Sequence, residues 1–149
     1  MSERLLDDWL HGRASLGAAA AWTAEEMRLV ADLGYALAEQ GRNEEARTIF
    51  EGLAAVAPAT AYFQSALGAL RLRLGEPENA LPHLEAALKA DPRDLPALIN
   101  RGEAYLHLGE QETARRDFEA ALRLGETMNP AEGGCAASLA RARALLARL

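Results

Sequence analysis

Apolar residues recur along the chain at helical spacing, and turn residues interrupt the pattern at regular intervals. Leu5, Leu6, Trp9 and Leu10 share one face of a short segment while Glu3, Arg4, Asp7 and Asp8 share the other, which predicts an amphipathic helix over 2–11 ended by Gly12 and Arg13. Ser15 to Trp22 is Ala-rich and reads either as a second short helix or as an ordered arm anchored by Leu16 and Trp22. The next helix opens at a capping box, in which Thr23 is spaced to accept from the Glu26 backbone while the Glu26 side chain reaches back. It is expected to run to Gln40, where Gly41-Arg42-Asn43 turns the chain. Asn43 is the expected cap of the following helix, with Glu44 and Glu45 at its positive end. Further along, Thr60 and Asp94 are N-cap candidates, Pro77 and Pro96 suit first turns, and Gly75 and Gly109 mark turns. The sixth helix of this series is expected to end near Leu124-Gly125. Asn129, Pro130 and Glu132 then start a last helix, whose stripe of Cys135, Leu139, Ala142, Leu146 and Leu149 lies opposite its arginines.

These helices form repeating pairs. Leu33-Gly34, Gly41, Ala46, Phe50 and Pro58 return as Leu67-Gly68, Gly75, Ala80, Leu84 and Pro92, and again as Gly102, Gly109, Ala114 and Phe118, at an interval of about 34 residues. Gly34 and Ala46 are small because two helix backbones approach closely there, and a larger side chain would overpack the contact. Together with Val30, Leu37, Leu98 and Tyr105, this order of landmarks resembles the tetratricopeptide repeat (TPR). The resemblance implies an all-α TPR solenoid of three helix-turn-helix repeats within 23–128, over about 27–60, 61–94 and 95–128. Residues 1–22 are expected to form a helical arm and 129–149 a C-terminal capping helix. Glu126 stands where the closing proline would be, so the regular array is expected to stop there.

Bulk properties narrow the function. The chain has 149 residues, is 50% hydrophobic and only 5% aromatic, so one domain with a core of Ala and Leu is expected. A net charge of −6 argues against a nucleic-acid partner and against an anionic membrane surface. No apolar run approaches the ~20 residues of a membrane span, and Glu3, Asp7 and Asp8 stand where a signal peptide would be basic and then apolar. A soluble, cytoplasmic protein without membrane insertion is expected. The single cysteine, Cys135, excludes an internal disulfide and a cysteine-cluster metal site, and its place on an apolar stripe suits a packed thiol. His11, His83 and His107 are far apart and lack ligand-spaced carboxylates, so no metal is expected. Asp7-Asp8 and Glu44-Glu45 are adjacent pairs whose side chains diverge on a helix. Ser15 and Ser65 lack a base, and Gly133-Gly134 lacks the spacing and lysine of a phosphate loop. No catalytic residue and no cofactor is expected; the chain does not read as an enzyme.

The TPR resemblance also implies a concave groove lined by the first helix of each repeat. Its register assigns Arg28, Ala31, Tyr35, Ala38 and Glu39, then Tyr62, Ser65, Ala69, Leu72 and Arg73, and last Pro96, Ile99, Glu103, Leu106 and His107 to that groove. Leu72, Ile99 and Leu106 also fit a core role. Such a groove, small-residued and apolar with two tyrosines, suits an extended peptide with aliphatic side chains. The positions used by TPR adaptors to clamp acidic chaperone tails carry Ala31, Tyr35, Ala66 and Pro96, with Asn100 the one polar match, so that mode is not expected.

The layout is similar to class II chaperones of bacterial type III secretion, which hold translocator proteins. Leu33-Gly34-Tyr35-Ala36-Leu37, Gly41-Arg42-Asn43-Glu44-Glu45-Ala46, and Tyr62-Phe63 ahead of Leu67-Gly68-Ala69 carry the likeness. It implies a non-catalytic protein-interaction module whose client segment meets Tyr35, Tyr62, Leu72, Ile99 and Leu106. Two other readings stand beside it: a structural adaptor subunit of a larger protein assembly, and a regulator associated with an enzyme. The arm either caps the first repeat or builds a homodimer through Leu5, Leu6, Trp9 and Leu10. If it self-associates, sedimentation should find a dimer that Trp9→Glu converts to monomer; two monomers at high concentration would dismiss the dimer.

Overall fold

The same backbone device closes every helix pair. Gly41, Gly75 and Gly109 take positive φ of 76°, 76° and 80°, a region open to glycine without steric cost. Each turn then returns two hydrogen bonds to the helix before it: Gly41 N to Ala38 O and Arg42 N to Leu37 O, Gly75 N to Leu72 O and Glu76 N to Arg71 O, Gly109 N to Leu106 O and Glu110 N to Tyr105 O. Carbonyls that would otherwise be left without donors at the helix end are satisfied in this way.

The computed structural model describes residues 7, 11, 22–129 and 135–149. The arm residues Leu5, Leu6, Trp9, Leu10 and Leu16, and the start signal of Pro130 and Glu132, lie outside the described residues. Among the described residues are helices α1 Ala24–Glu39, α2 Asn43–Val56, α3 Ala61–Arg73, α4 Pro77–Ala90, α5 Leu95–His107, α6 Gln111–Thr127 and α7 Cys135–Leu146. Each packs on its neighbour in sequence. In addition α3 touches α5 and α5 touches α7, which puts the odd-numbered helices side by side. The all-α architecture of paired helices is as the sequence implies. No described helix is long and apolar enough to cross a membrane.

Within each pair a glycine lets the helices approach. A Cβ added to Gly34 would lie 2.8 Å from Phe50 Cε2, one on Gly68 2.5 Å from Leu84 Cγ, and one on Gly102 2.6 Å from Phe118 Cε1. Phe50, Leu84 and Phe118 are themselves buried, so they have little room to retreat. Around these contacts sit three apolar clusters in succession. The first is built on Val30, Ile49, Phe50, Leu53 and Leu67, the second on Ala80, Leu84, Ala87 and Ala104. The third gathers Leu95, Ile99, Phe118, Cys135, Ala142 and Leu145, and so joins α7 to the last pair. Leu145 takes a core place in this cluster that the stripe read from sequence did not include.

Local signals set most helix starts. The Thr23–Glu26 capping box forms in both directions, and Asp94 caps α5 through the Ala97 N–H. Thr60 holds the cap position of α3 without a side-chain bond. Asn43 is the first residue of α2 rather than its cap; Arg42 takes the cap position, and its guanidinium pairs with Glu45. The sixth helix runs past Gly125 to Thr127, because Gly125 is a packing glycine whose added Cβ would collide with Leu139 of α7. Between elements, Arg101 of α5 bonds both carboxylate oxygens of Asp117 at 2.9 and 2.8 Å, and Arg71 joins Glu51 of α2 to Glu76.

Gly102→Ala gains helix propensity worth about 1 kcal/mol but drives a methyl into a buried ring, which costs about 1–3 kcal/mol. Urea unfolding should show net destabilisation. A Gly102→Ala chain as stable as wild type would contradict the close-contact account.

Candidate functional site

Helix periodicity places Tyr62, Ser65, Ala66, Ala69 and Arg73 along one stripe of α3. This stripe faces Tyr35, Ala38 and Glu39 of α1 on one side and Pro96 and Asn100 of α5 on the other, enclosing a cleft of about 560 Å³. Phe50, Ala61, Leu70, Asp91 and Asp94 complete the lining. Ser65, Ala66 and Ala69 keep the α3 side shallow, so the trough exists because these side chains are small. Its aromatic wall is exposed: Tyr35 is 57% and Tyr62 47% accessible. Tyr62 stands edge-on to Phe50, with ring centroids 5.9 Å apart and planes at 89°, and lies 6.0 Å from Phe63. This contact holds the Tyr62 ring in place beside the opening. Burial of part of that ring raises the pKa of its hydroxyl, and the Asp32 charge and Tyr35 add to the effect.

The polar groups of the cleft are tied into the scaffold. Arg73 Nη1 donates to Ala38 O at 3.3 Å, linking α3 to α1. Asp94 Oδ1 accepts from Ala97 N at 3.0 Å and from the Ser65 hydroxyl at 3.4 Å. Burial raises the Asp94 pKa; the Ala97 bond opposes that rise, and the Asp91 charge reinforces it. Asn100 is only 6% exposed, and its Oδ1 accepts from Arg141 Nη1 of α7 at 3.0 Å. Behind the cleft, His83 meets Gln64 Oε1 at 3.0 Å, and burial lowers its pKa. Among the described residues no group of three His, Cys, Asp or Glu is placed to hold a metal.

Of the groove positions expected from sequence, Tyr35, Ala38, Glu39, Tyr62, Ser65, Ala69, Arg73 and Pro96 line the cleft. Ile99 does not: at 1% exposure it is core, since α5 turns it toward Phe118 and brings Asn100, one position on, to the cleft. Ala31 is likewise buried at 1%. Leu72 is half-buried against the Ala80 cluster and Leu106 against the Phe118 cluster. Arg28 is exposed and away from the cleft lining. Glu103 and His107 lie beyond the lining residues and face each other at 3.7 Å, while Glu103 also pairs with Arg141. The sequence assignment missed Phe50, Ala61, Leu70, Asp91 and Asp94 as lining residues. Phe50 and Asp94 had been recognised for packing and capping, and nothing local marks the second role.

The family profile described as tetratricopeptide repeat matches residues 31–81 and 65–129. Protein FlbA of Caulobacter vibrioides is 32% identical over 92 residues, which are 62% of this chain; the chain spans 15% of the length of that curated relative. The structure of PcrH, a Pseudomonas aeruginosa protein, in complex with the chaperone binding region of PopD superposes with a TM-score of 0.77 at 25% identity, covering 86% of this chain and 93% of PcrH. SycD, a type III secretion translocator chaperone of Yersinia enterocolitica, matches in fold with a TM-score of 0.76 at 17% identity, over 91% of this chain and 98% of its own.

Asp94 binds its proton more tightly folded than unfolded. The stability tied to it is therefore full below the ordinary aspartate pKa of 3.8 and is lost as pH rises through the higher folded value. Asp94→Asn keeps an oxygen acceptor for the Ala97 N–H and removes that loss. In urea unfolding from about pH 3 to 7 the stability of this variant relative to wild type should rise with pH; a constant difference between the two would refute the account.

Proposed function

The chain belongs to the tetratricopeptide repeat family, and on that premise we propose that it is a non-catalytic interaction module whose cleft holds an extended, partly apolar segment of another protein. The observation that carries this reading is the preformed cleft of about 560 Å³, whose α3 side is built of small residues and whose exposed tyrosines, Tyr35 and Tyr62, border it, with Tyr62 edge-on to Phe50. Such a site accepts aliphatic side chains in pockets and leaves the two hydroxyls to meet peptide polar groups. The likeness in fold to PcrH, solved with chaperone binding regions of PopD and of PopB, favours a translocator chaperone of bacterial type III secretion, working in the cytoplasm. The client segment enters the cleft and contacts Tyr35, Ala38, Tyr62, Ser65, Ala69 and Arg73. Self-association through Leu5, Leu6, Trp9 and Leu10 is part of the same proposal. An adaptor subunit of a larger assembly is the alternative; it would bury the tyrosine wall permanently against one fixed partner.

A synthetic peptide of the PopD chaperone binding region, titrated against the full chain, tests the cleft. Wild type should bind, Tyr62→Ala should weaken binding about 30-fold if the ring is a central anchor, and Ala69→Arg should block the trough. Affinity unchanged in both variants would sink the cleft as the binding site.

A further inference from the structure

Among the described residues, Asn100 is a cleft-lining side chain whose carboxamide is tied to α7. It is 6% exposed, yet it contributes to the cleft wall. Its partner is Arg141, which donates through Nη1 at 3.0 Å and is held in turn by an ion pair with Glu103. A guanidinium has no acceptor, so the atom of Asn100 that faces Arg141 must be the carbonyl oxygen. The carboxamide is planar, and once its oxygen is taken its NH2 is the group left to offer. That nitrogen has no acceptor among the described residues. Burial lowers the pKa of the Arg141 guanidinium, and the charge of Arg73 lowers it further.

We propose that Arg141, supplied by α7 from outside the three helix pairs, is a positioning residue of the cleft: by occupying Asn100 Oδ1 it turns the Asn100 NH2 into a donor for a backbone carbonyl of the bound segment. This rests on the reading of the cleft as a peptide site. An extended strand exposes a carbonyl on each side at every second residue, so one oriented donor at the α5 wall sets the register of the strand while pockets read its side chains. α7 thereby acts on recognition as well as covering the end of the array. Arg141 needs no contact with the ligand to do so.

The test uses the full chain and the synthetic PopD chaperone binding region, with urea unfolding measured alongside. Arg141→Gln should weaken binding about three- to tenfold, the worth of one oriented hydrogen bond, and Arg141→Lys, which retains a donor and a charge for Glu103, should restore most of it. Asn100→Asp keeps and strengthens the bond to Arg141 but removes the donor, so affinity should fall at least as far with the unfolding midpoint unchanged or raised. A merely structural Arg141 would not produce that split. Asn100→Leu combined with Arg141→Gln should be no weaker than Asn100→Leu alone. The inference is overturned if Arg141→Gln binds like wild type, if the two losses add, or if Asn100→Asp binds like wild type. Failure of wild type to bind, or binding that ignores Ala69→Arg, defeats the cleft reading and this inference with it. Binding that Ala69→Arg abolishes and Arg141→Gln leaves intact defeats the inference alone.

Discussion

Everything in this molecule depends on how closely the two helices of a pair can approach. Gly34 against Phe50, Gly68 against Leu84 and Gly102 against Phe118 are the same contact made three times, each with space for a large buried side chain only because the opposing residue has none. The contact sets the distance within a pair, and the repetition sets the array. A helix pair of this size cannot bury its apolar faces alone, so stacking on neighbours completes one core after another.

The cleft is a by-product of that stacking. Because α3 touches α5 and α5 touches α7, the odd helices form one surface, and the even helices stay behind it. Where that surface carries Ser65, Ala66 and Ala69 it sinks, and where it carries Tyr35 and Tyr62 it stands up. Phe50 has two duties, packing on Gly34 from behind and flooring the trough in front. Changes meant for one of these duties will be felt in the other.

Polar groups in the cleft are arranged by bonds that cross elements. Ser65 reaches Asp94 across the α3–α5 seam, and Arg73 reaches the end of α1. Asn100 is oriented from α7, which takes the place beside α5 that α5 takes beside α3. The terminal helix thus extends the surface that the pairs build and leaves Glu103 paired with its own Arg141.

The repeat, the turns and most caps were legible in the sequence because they are set by bonds within a few residues. Thr23 with Glu26, Asp94 with Ala97 and the glycines at positive φ need no distant partner. Eight of the expected groove residues, Tyr35, Ala38, Glu39, Tyr62, Ser65, Ala69, Arg73 and Pro96, were legible as a face because the 34-residue interval carries register from one repeat to the next. What failed turns on about 100° of rotation per residue. That step separates Ile99 in the core from Asn100 in the cleft, and only the packing of α5 on α6 decides between them. Gly125 looked like a stop and is a seat for Leu139, while Arg141 gave no local sign that it would reach Asn100. The sequence by itself determined the helices and their repetition, since short-range hydrogen bonding and periodic burial are written locally. Tertiary structure decided which polar atoms reach the cleft, because those contacts join residues 29, 35 and 41 positions apart, whose meeting depends on the helices packed between them.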